Sequence, residues 1–271
     1  MDDVFVTGDP LAATEAVDNS AQKRVMNVFM IVDTSGSMAG DRIGSVNQAI
    51  KETVDELRKV QKNGKGVEIR LALMSFNYTA EWITTLPEPV DKFTFAKFTN
   101  PQGGTNAADA FQKLSEKLSR TAFMNASSGH YQPLILFLSD GESREGWESK
   151  LETLKGNLWY QCATRVAIAA GKEATTTEAM RLFLAFTGNS EMVIFADRPE
   201  EITKAIVLIS VHASKWNTSH IRPSADTALP AGGSSGDAPP DPFAQDMQNA
   251  TPDWWKDIKK TVDFPSIPTL D

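Results

Sequence analysis

Apolar residues along the chain follow two different spacings. Nearly continuous apolar runs at 25–32 and 133–138 are typical of strands that are covered on both faces. The spacing predicts an amphipathic helix after the first run, ending near the Asn-Gly pair at 63–64. Its apolar positions recur every three or four residues, at Ile43, Val46, Ile50, Val54 and Leu57.

The same patterns continue through most of the chain. Further strands are predicted at 67–76, 80–86, 165–170 and 192–195, and further helices at 105–123, 147–155, 177–186 and 199–214. Only residues 77–79 separate the second and third strands, which is too short for a parallel crossover and predicts an antiparallel hairpin. We therefore expect an α/β fold: a doubly wound, mostly parallel six-stranded sheet with one antiparallel edge strand and helices on both faces.

The composition changes towards both ends of the chain. Residues 1–23 are polar and without periodicity, which predicts a flexible arm, and 24–216 are expected to form one domain. Residues 217–242 are rich in Pro, Gly, Ser and Ala, which is typical of a linker. In the tail at 243–271, Trp254 and Trp255 stand beside lysines. The tryptophans could dock on a partner or fold back on their own domain.

Oxygen-bearing side chains follow two of the buried strands. Asp33, Ser35 and Ser37 come directly after the first strand, at alternate positions that project to one side. Thr105 follows a Gly-Gly pair, and Asp140 follows the strand at 133–138. Since ligand crevices of doubly wound sheets form at the carboxyl ends of the strands, we expect these five side chains to converge.

Five oxygen donors without histidine or cysteine suit a small hard cation, Mg²⁺ first and Mn²⁺ as an alternative. Two carboxylates only just balance a divalent charge, and neutral hydroxyls leave the ion electrophilic. An acidic side chain of another protein could then take a remaining position. Gly36 and Gly104 lie beside the donors and are expected to form part of the partner-binding surface, as are Trp254 and Trp255 in the tail.

The order Asp-x-Ser-x-Ser, Gly-Gly-Thr and Asp-Gly resembles the metal-ion-dependent adhesion site of von Willebrand factor A and integrin inserted domains. The resemblance covers 25–214 and implies a Rossmann-like fold. By residue-by-residue correspondence it also implies a metal-ligand set, which consists of Asp33, Ser35, Ser37, Thr105 and Asp140.

Within that family, segments 28–38, 46–50 and 133–141 look most like bacterial tellurium-resistance TerY-type proteins. Those proteins are cytoplasmic and are often encoded beside kinase- and phosphatase-like partners. The resemblance therefore implies an intracellular adaptor in a stress-response system. Some relatives carry a cysteine-rich zinc segment at the C-terminus, and this chain does not.

Charge and composition narrow the partners further. A formal net charge of −8 disfavours nucleic acid and anionic membrane surfaces, and no apolar run approaches the roughly 20 residues that span a bilayer. The start of the chain lacks the basic and apolar regions of a secretory signal. The single cysteine, Cys162, leaves no internal disulfide. Together these features predict a cytoplasmic protein.

The same residues can be compared with those that known enzyme mechanisms require. A haloacid-dehalogenase-type phosphatase needs a second aspartate where Ser35 stands, and an aspartic protease needs two Asp-Thr/Ser-Gly loops. A serine nucleophile needs a histidine base, and none of the three histidines has a catalytic neighbourhood. We therefore expect no enzyme activity. Two alternatives stay open: a Mg²⁺-dependent phosphoester hydrolase, and a scaffold that binds through Trp254 and Trp255.

Overall fold

Parallel strands form the centre of the protein. The computed structural model describes residues 23–64, 66–141, 143–196 and 198–219. The tail with Trp254 and Trp255 lies outside these ranges, as do nearly all of the predicted arm and all of the predicted linker after residue 219. The strands are β1 (Arg24–Asp33), β2 (Val67–Phe76), β3 (Ala80–Trp82), β4 (Glu88–Pro89), β5 (Leu134–Ser139), β6 (Thr164–Ala170) and β7 (Val193–Ala196). The helices are α1 (Asp41–Asn63), α2 (Ala107–Lys117), α3 (Trp147–Lys155), α4 (Leu158–Gln161), α5 (Thr177–Thr187) and α6 (Pro199–Ser219). Short 3₁₀ helices span Gly36–Met38, Lys172–Thr175 and Ser190–Met192.

The strand order is β3-β2-β1-β5-β6-β7, and β4 also pairs with β2. Strands β2, β1, β5, β6 and β7 are parallel to their neighbours, whereas β3 and β4 run antiparallel to β2. This arrangement confirms the predicted α/β fold with its antiparallel edge. The carboxyl ends of β1 and β5 consequently lie side by side.

The edge beside β2 differs from the prediction, because the described sheet has seven strands instead of six. The expected strand at 80–86 ends at Trp82 as β3, and the short β4 at Glu88–Pro89 lies beyond the predicted range. Both Ile83 and Thr84 donate their backbone N–H to Leu73 O, and Thr84 Oγ1 accepts from Leu73 N. Two residues therefore oppose one, which is a bulge that interrupts the ladder before β4 resumes it.

Helices cover both faces of the sheet. Val46 and Ile50 of α1 and Ile206 of α6 pack over one face, against Met30 and Leu136. On the other face, Phe137 of β5 packs against aromatic rings of β2, α2 and α5, at Phe76, Phe111, Phe183 and Phe186. Coverage on both faces explains the continuous apolar sequences of β1 and β5.

Some helix ends also differ from the prediction. Helix α2 begins only at Ala107, because the Asn106 side chain accepts from Asp109 N and caps it, and it ends before the turn at 119–124. The single-turn α4 was not predicted, and Asn157 caps it. Helix α6 continues past the predicted end at 214. Across the described ranges, none of the helices has the length and apolarity that crossing a bilayer requires.

Phe137 is completely buried and lies at the centre of the aromatic cluster. We expect Phe137→Ala to lower the free energy of unfolding by about 3–5 kcal/mol, because the lost ring leaves a cavity between the sheet and α2. Chemical denaturation measures the change. Leu158→Ala is the matched control, since Leu158 is 50% exposed. A loss below about 1 kcal/mol for Phe137→Ala would contradict this account of the core.

Candidate metal centre

The central strand β1 ends in a buried carboxylate. Asp33 is fully buried, and each of its oxygens accepts a hydrogen bond. Asp33 Oδ1 accepts from Ser35 N at 2.8 Å, and Asp33 Oδ2 accepts from Ser139 Oγ at 2.6 Å. The same Ser139 Oγ accepts from Gly141 N at 3.0 Å. Ser139 therefore fixes the orientation of Asp33 from the neighbouring strand β5.

The hydroxyls that follow Asp33 lead from the interior towards solvent. The Oγ atoms of Ser35 and Ser37 are 3.1 Å apart. Ser35 is buried, whereas Gly36 and Ser37 are exposed at the start of the 3₁₀ helix Gly36–Met38. Alternate positions therefore carry the two hydroxyls along one side of the turn, as the sequence pattern predicts.

Two backbone hydrogen bonds hold the glycine loop against this turn. Gly36 N donates to Gly103 O, and Gln102 N donates to Thr34 O, each at 3.0 Å. The loop continues through Gly104 to Thr105, which is buried. The glycine loop thus lies directly beside the Asp33 turn, although its residues are far away in sequence.

Asp140 completes the arrangement at the carboxyl end of β5. It is buried, and its charge acts on Asp33. Arg42, in the first turn of α1, places Nη1 3.9 Å from Asp140 Oδ2 and donates to Ser37 O at 3.1 Å. A cation of the chain itself therefore partly offsets the charge of Asp140.

The electrostatics of the edge favour a positive ion. Burial raises the pKa of Asp33 to about 6, while hydrogen bonds from Ser139 and Ser35 lower it and the charge of Asp140 raises it. Two carboxylates buried close together disfavour each other's ionised form. A divalent cation would remove that penalty and would stabilise the ionised pair.

The donors present fit a hard cation. The structure brings together the turn with Asp33, Ser35 and Ser37, the loop with Thr105, and Asp140 at one edge of the sheet. Carboxylate and hydroxyl oxygens are ligands of Mg²⁺ and Mn²⁺. Within the described part of the chain, no group of three or more His, Cys, Asp or Glu residues could hold a metal. A metal ion at this edge would therefore need hydroxyl oxygens as ligands in addition to the two carboxylates.

Several residues of this edge were missed in the sequence. Ser139 precedes Asp140 directly, and its position at the end of a buried strand was the available signal. Arg42 and Arg144 gave no local signal, since they reach the site through contacts between distant segments. Tyr78 lies in the hairpin turn, and its ring packs on Gly103 and Gly104.

Comparison with known proteins gives a family. The model of the von Willebrand factor type A domain matches residues 27–208. Inter-alpha-trypsin inhibitor heavy chain H2 of Sus scrofa is 26% identical over 148 residues, which are 52% of this chain and 15% of that protein. The same heavy chain of Mus musculus is 25% identical over 138 residues, 49% of this chain and 14% of that protein. The chain thus matches only a small part of these relatives.

Solved structures share the fold. The pilus adhesin SpaC of Lactobacillus rhamnosus GG gives a TM-score of 0.54 at 12% identity, over 72% of this chain and 31% of that one. Proximal thread matrix protein 1 of the mussel byssus was solved with a zinc-occupied metal-ion-dependent adhesion site (MIDAS) motif. It gives a TM-score of 0.53 at 16% identity, over 71% of this chain and 48% of that one. At these identities the likeness concerns the fold.

Ser139→Ala tests the hydrogen bond that orients Asp33. We expect the free energy of unfolding at pH 7 to fall by about 1–3 kcal/mol, because a buried carboxylate oxygen loses its donor. Urea denaturation measures this loss. Ser149→Ala is the matched control, since the Ser149 hydroxyl is exposed and donates only within its own helix region. Equal stability of the two variants would show that Ser139 does not support Asp33.

Proposed function

The chain belongs to the von Willebrand factor type A domain family, and from this membership we propose that it is a metal-dependent protein-binding module. Domains of this family commonly mediate protein–protein interaction and adhesion. In our proposal, the carboxyl edge of the sheet binds Mg²⁺, with Mn²⁺ as an alternative, and the bound ion receives an acidic side chain of a partner.

The observation that carries the proposal is a pair of buried carboxylates, Asp33 and Asp140, close enough for the charge of one to act on the other. Gly36 and Ser37, which follow Asp33 in the same turn, are exposed, so a partner can contact this edge. Asp33, Ser35, Ser37, Thr105 and Asp140 would hold the ion. When bound, the ion supplies a Lewis-acidic position for an outside carboxylate oxygen.

The chain's own residues prepare this edge. Ser139 holds Asp33 in one orientation, and the backbone of Gly103 keeps the glycine loop against the turn. The hydroxyl ligands are neutral, so they do not cancel the charge that attracts a carboxylate. Gly36 and Gly104 allow close packing here, because a Cβ on Gly36 would lie 3.5 Å from Gly103 O and one on Gly104 would lie 3.1 Å from Tyr78 Cε1. The proposed surface is therefore preorganised by protein contacts.

We favour binding over catalysis. His130, one of the two histidines in the described ranges, is far from the candidate centre. His130 bridges to Val25, at the opposite end of β1 from Asp33, roughly 26 Å away by strand rise. Burial, with the charges of Arg70, Arg120 and Arg24, lowers the pKa of His130 to about 4. The absence of enzyme activity stays a prediction that a phosphoester turnover assay tests.

The biological role, the partner and the location of this protein are proposed from the sequence resemblance alone. A TerY-like stress-response role, a kinase- or phosphatase-like partner and a cytoplasmic location are parts of this proposal. The adhesin and byssus structures extend the range of proteins that share the fold. Metal identity is likewise open to experiment, because the byssus protein's MIDAS motif holds zinc.

Asp33→Ala should weaken Mg²⁺ binding by about 100-fold or more, because it removes one of the two carboxylates that balance the ion's charge. Isothermal titration with Mg²⁺, Mn²⁺ and Zn²⁺ measures the affinities and ranks the metals. Asp41→Ala is the matched control, since Asp41 is exposed at the start of α1 close to the site.

The same pair of variants then tests partner binding. Affinity purification with and without a chelator should recover partners with wild type and Asp41→Ala in Mg²⁺, and lose them with Asp33→Ala or chelator. Circular dichroism of each variant verifies the fold. Partners retained under both treatments would reject the metal-dependent mechanism.

Metal affinity should also depend on pH. The pKa of Asp33 in the metal-free protein is about 6, so a proton competes with the ion below that pH and no longer competes well above it. We expect the affinity for Mn²⁺ to fall about tenfold per pH unit below 6 and to level off above pH 7. Titrations at pH 5, 6, 7 and 8 measure the profile. A flat profile from pH 5 to 7 would contradict a ligand role for Asp33 with its pKa raised to about 6.

A further inference from the structure

An exposed tyrosine packs beside the candidate metal centre. Tyr78 is 52% exposed in the turn between β2 and β3, and its ring lies against Gly103 and Gly104. A Cβ on Gly103 would lie 2.5 Å from Tyr78 Cε2, and one on Gly104 would lie 3.1 Å from Cε1. Gly103 also has φ +81°, which favours glycine. The glycine pair therefore makes room for the tyrosine ring.

An arginine stacks on that ring. The Arg144 guanidinium carbon lies 4.6 Å from the centre of the Tyr78 ring, within cation–π distance. The backbone connects this pair to the metal centre, because Arg144 N donates to Thr105 O at 3.0 Å. Asn106 Nδ2 donates to Tyr78 O, also at 3.0 Å. We call Tyr78 and Arg144 the rim pair.

The guanidinium of Arg144 differs from those of the other stacked arginines. Arg24 and Arg165 stack on tyrosines and donate to backbone carbonyls, and Arg181 stacks on a tryptophan and binds two glutamates. Arg144 is exposed, and among the described residues no carboxylate or carbonyl accepts from its side chain. As far as the described residues extend, its donors are therefore open to a ligand from solution.

We propose that the rim pair is a second anchor for an acidic side chain, so that the partner presents two acidic residues in one short segment. One acid would bind at the metal centre, and the other would accept from Arg144. This inference rests on the function proposed above. It names the partner's chemistry: a diacidic peptide segment of a protein.

Charge and geometry both favour this ligand. Residues 23–219 carry 23 Lys and Arg against 22 Asp and Glu, so the domain itself is nearly neutral and local cations such as Arg144 decide where an acidic segment can bind. A guanidinium binds a carboxylate through two parallel hydrogen bonds, and the tyrosine ring keeps its plane fixed. Because Arg144 N donates to Thr105 O and Arg144 Nε lies 3.7 Å from where a Cβ on Gly104 would be, the two anchors are close enough for one extended segment.

Peptide binding to the full chain tests the proposal. The probes are labelled Gly-Ser peptides with a single Glu, or with two Glu separated by one to four positions, measured by fluorescence anisotropy in Mg²⁺. We expect the best two-Glu peptide to bind wild type about tenfold more tightly than the single-Glu peptide, as one charged hydrogen-bonded pair would give. In Arg144→Gln this ratio should fall to near one.

Matched variants separate a binding role from a structural one. Arg181→Gln removes an arginine that stacks on Trp147 and should keep the tenfold ratio. Arg144→Lys keeps the charge without the planar pair of donors and should give an intermediate ratio. A thermal melt of each variant verifies the fold. A ratio near one in wild type, or one unchanged in Arg144→Gln, would overturn the second anchor.

The test distinguishes this failure from failure of the metal-dependent mechanism. Peptide binding that persists in a chelator and in Asp33→Ala would overturn the proposed function. Metal-dependent binding of both probes with equal affinity would leave that function intact and reject the rim pair alone. Absence of binding by every probe would reject both.

Discussion

Asp33 ends the central strand in a place where water cannot stabilise its charge, and the carboxyl edge is built around that constraint. Ser35 N and Ser139 Oγ supply one donor to each oxygen, yet burial and Asp140 still raise the pKa to about 6. The contacts therefore orient the carboxylate without fully offsetting its desolvation. A cation bound at such a site would stabilise it, and the proposed metal binding would then be linked to the folding of this edge.

Much of the fold could be predicted because its causes are local in sequence. The strands β1 and β5 are covered on both faces and therefore read as continuous apolar runs, and α1 shows the helical spacing of its buried face. The family suggested by the motifs is also confirmed. The early end of the edge strand was missed, because it depends on how Thr84 meets Leu73 across the sheet. The early end of α2 was missed for a similar reason, since Asn157, distant in sequence, donates to Leu118 O there.

The residues of the candidate site also fall into those that the sequence could predict and those that it could not. Asp33 and Asp140 could be found because parallel strands bring their carboxyl ends to one edge, so strand ends alone locate them. Ser139, Arg42 and Arg144 act through contacts with segments distant in sequence, which no periodicity encodes. Trp254 and Trp255 lie outside the described residues, and their proposed role in partner binding stays a prediction.

The hairpin turn has a consequence for how this module could be transplanted or redesigned. Asn106 at the start of α2 donates to both Asn77 O and Tyr78 O, and Gly103 accommodates the Tyr78 ring. The turn is thus a template on which the glycine loop is shaped. A donor scaffold given only the three metal-binding segments would lack that template, so a faithful graft has to carry the edge hairpin as a fourth part.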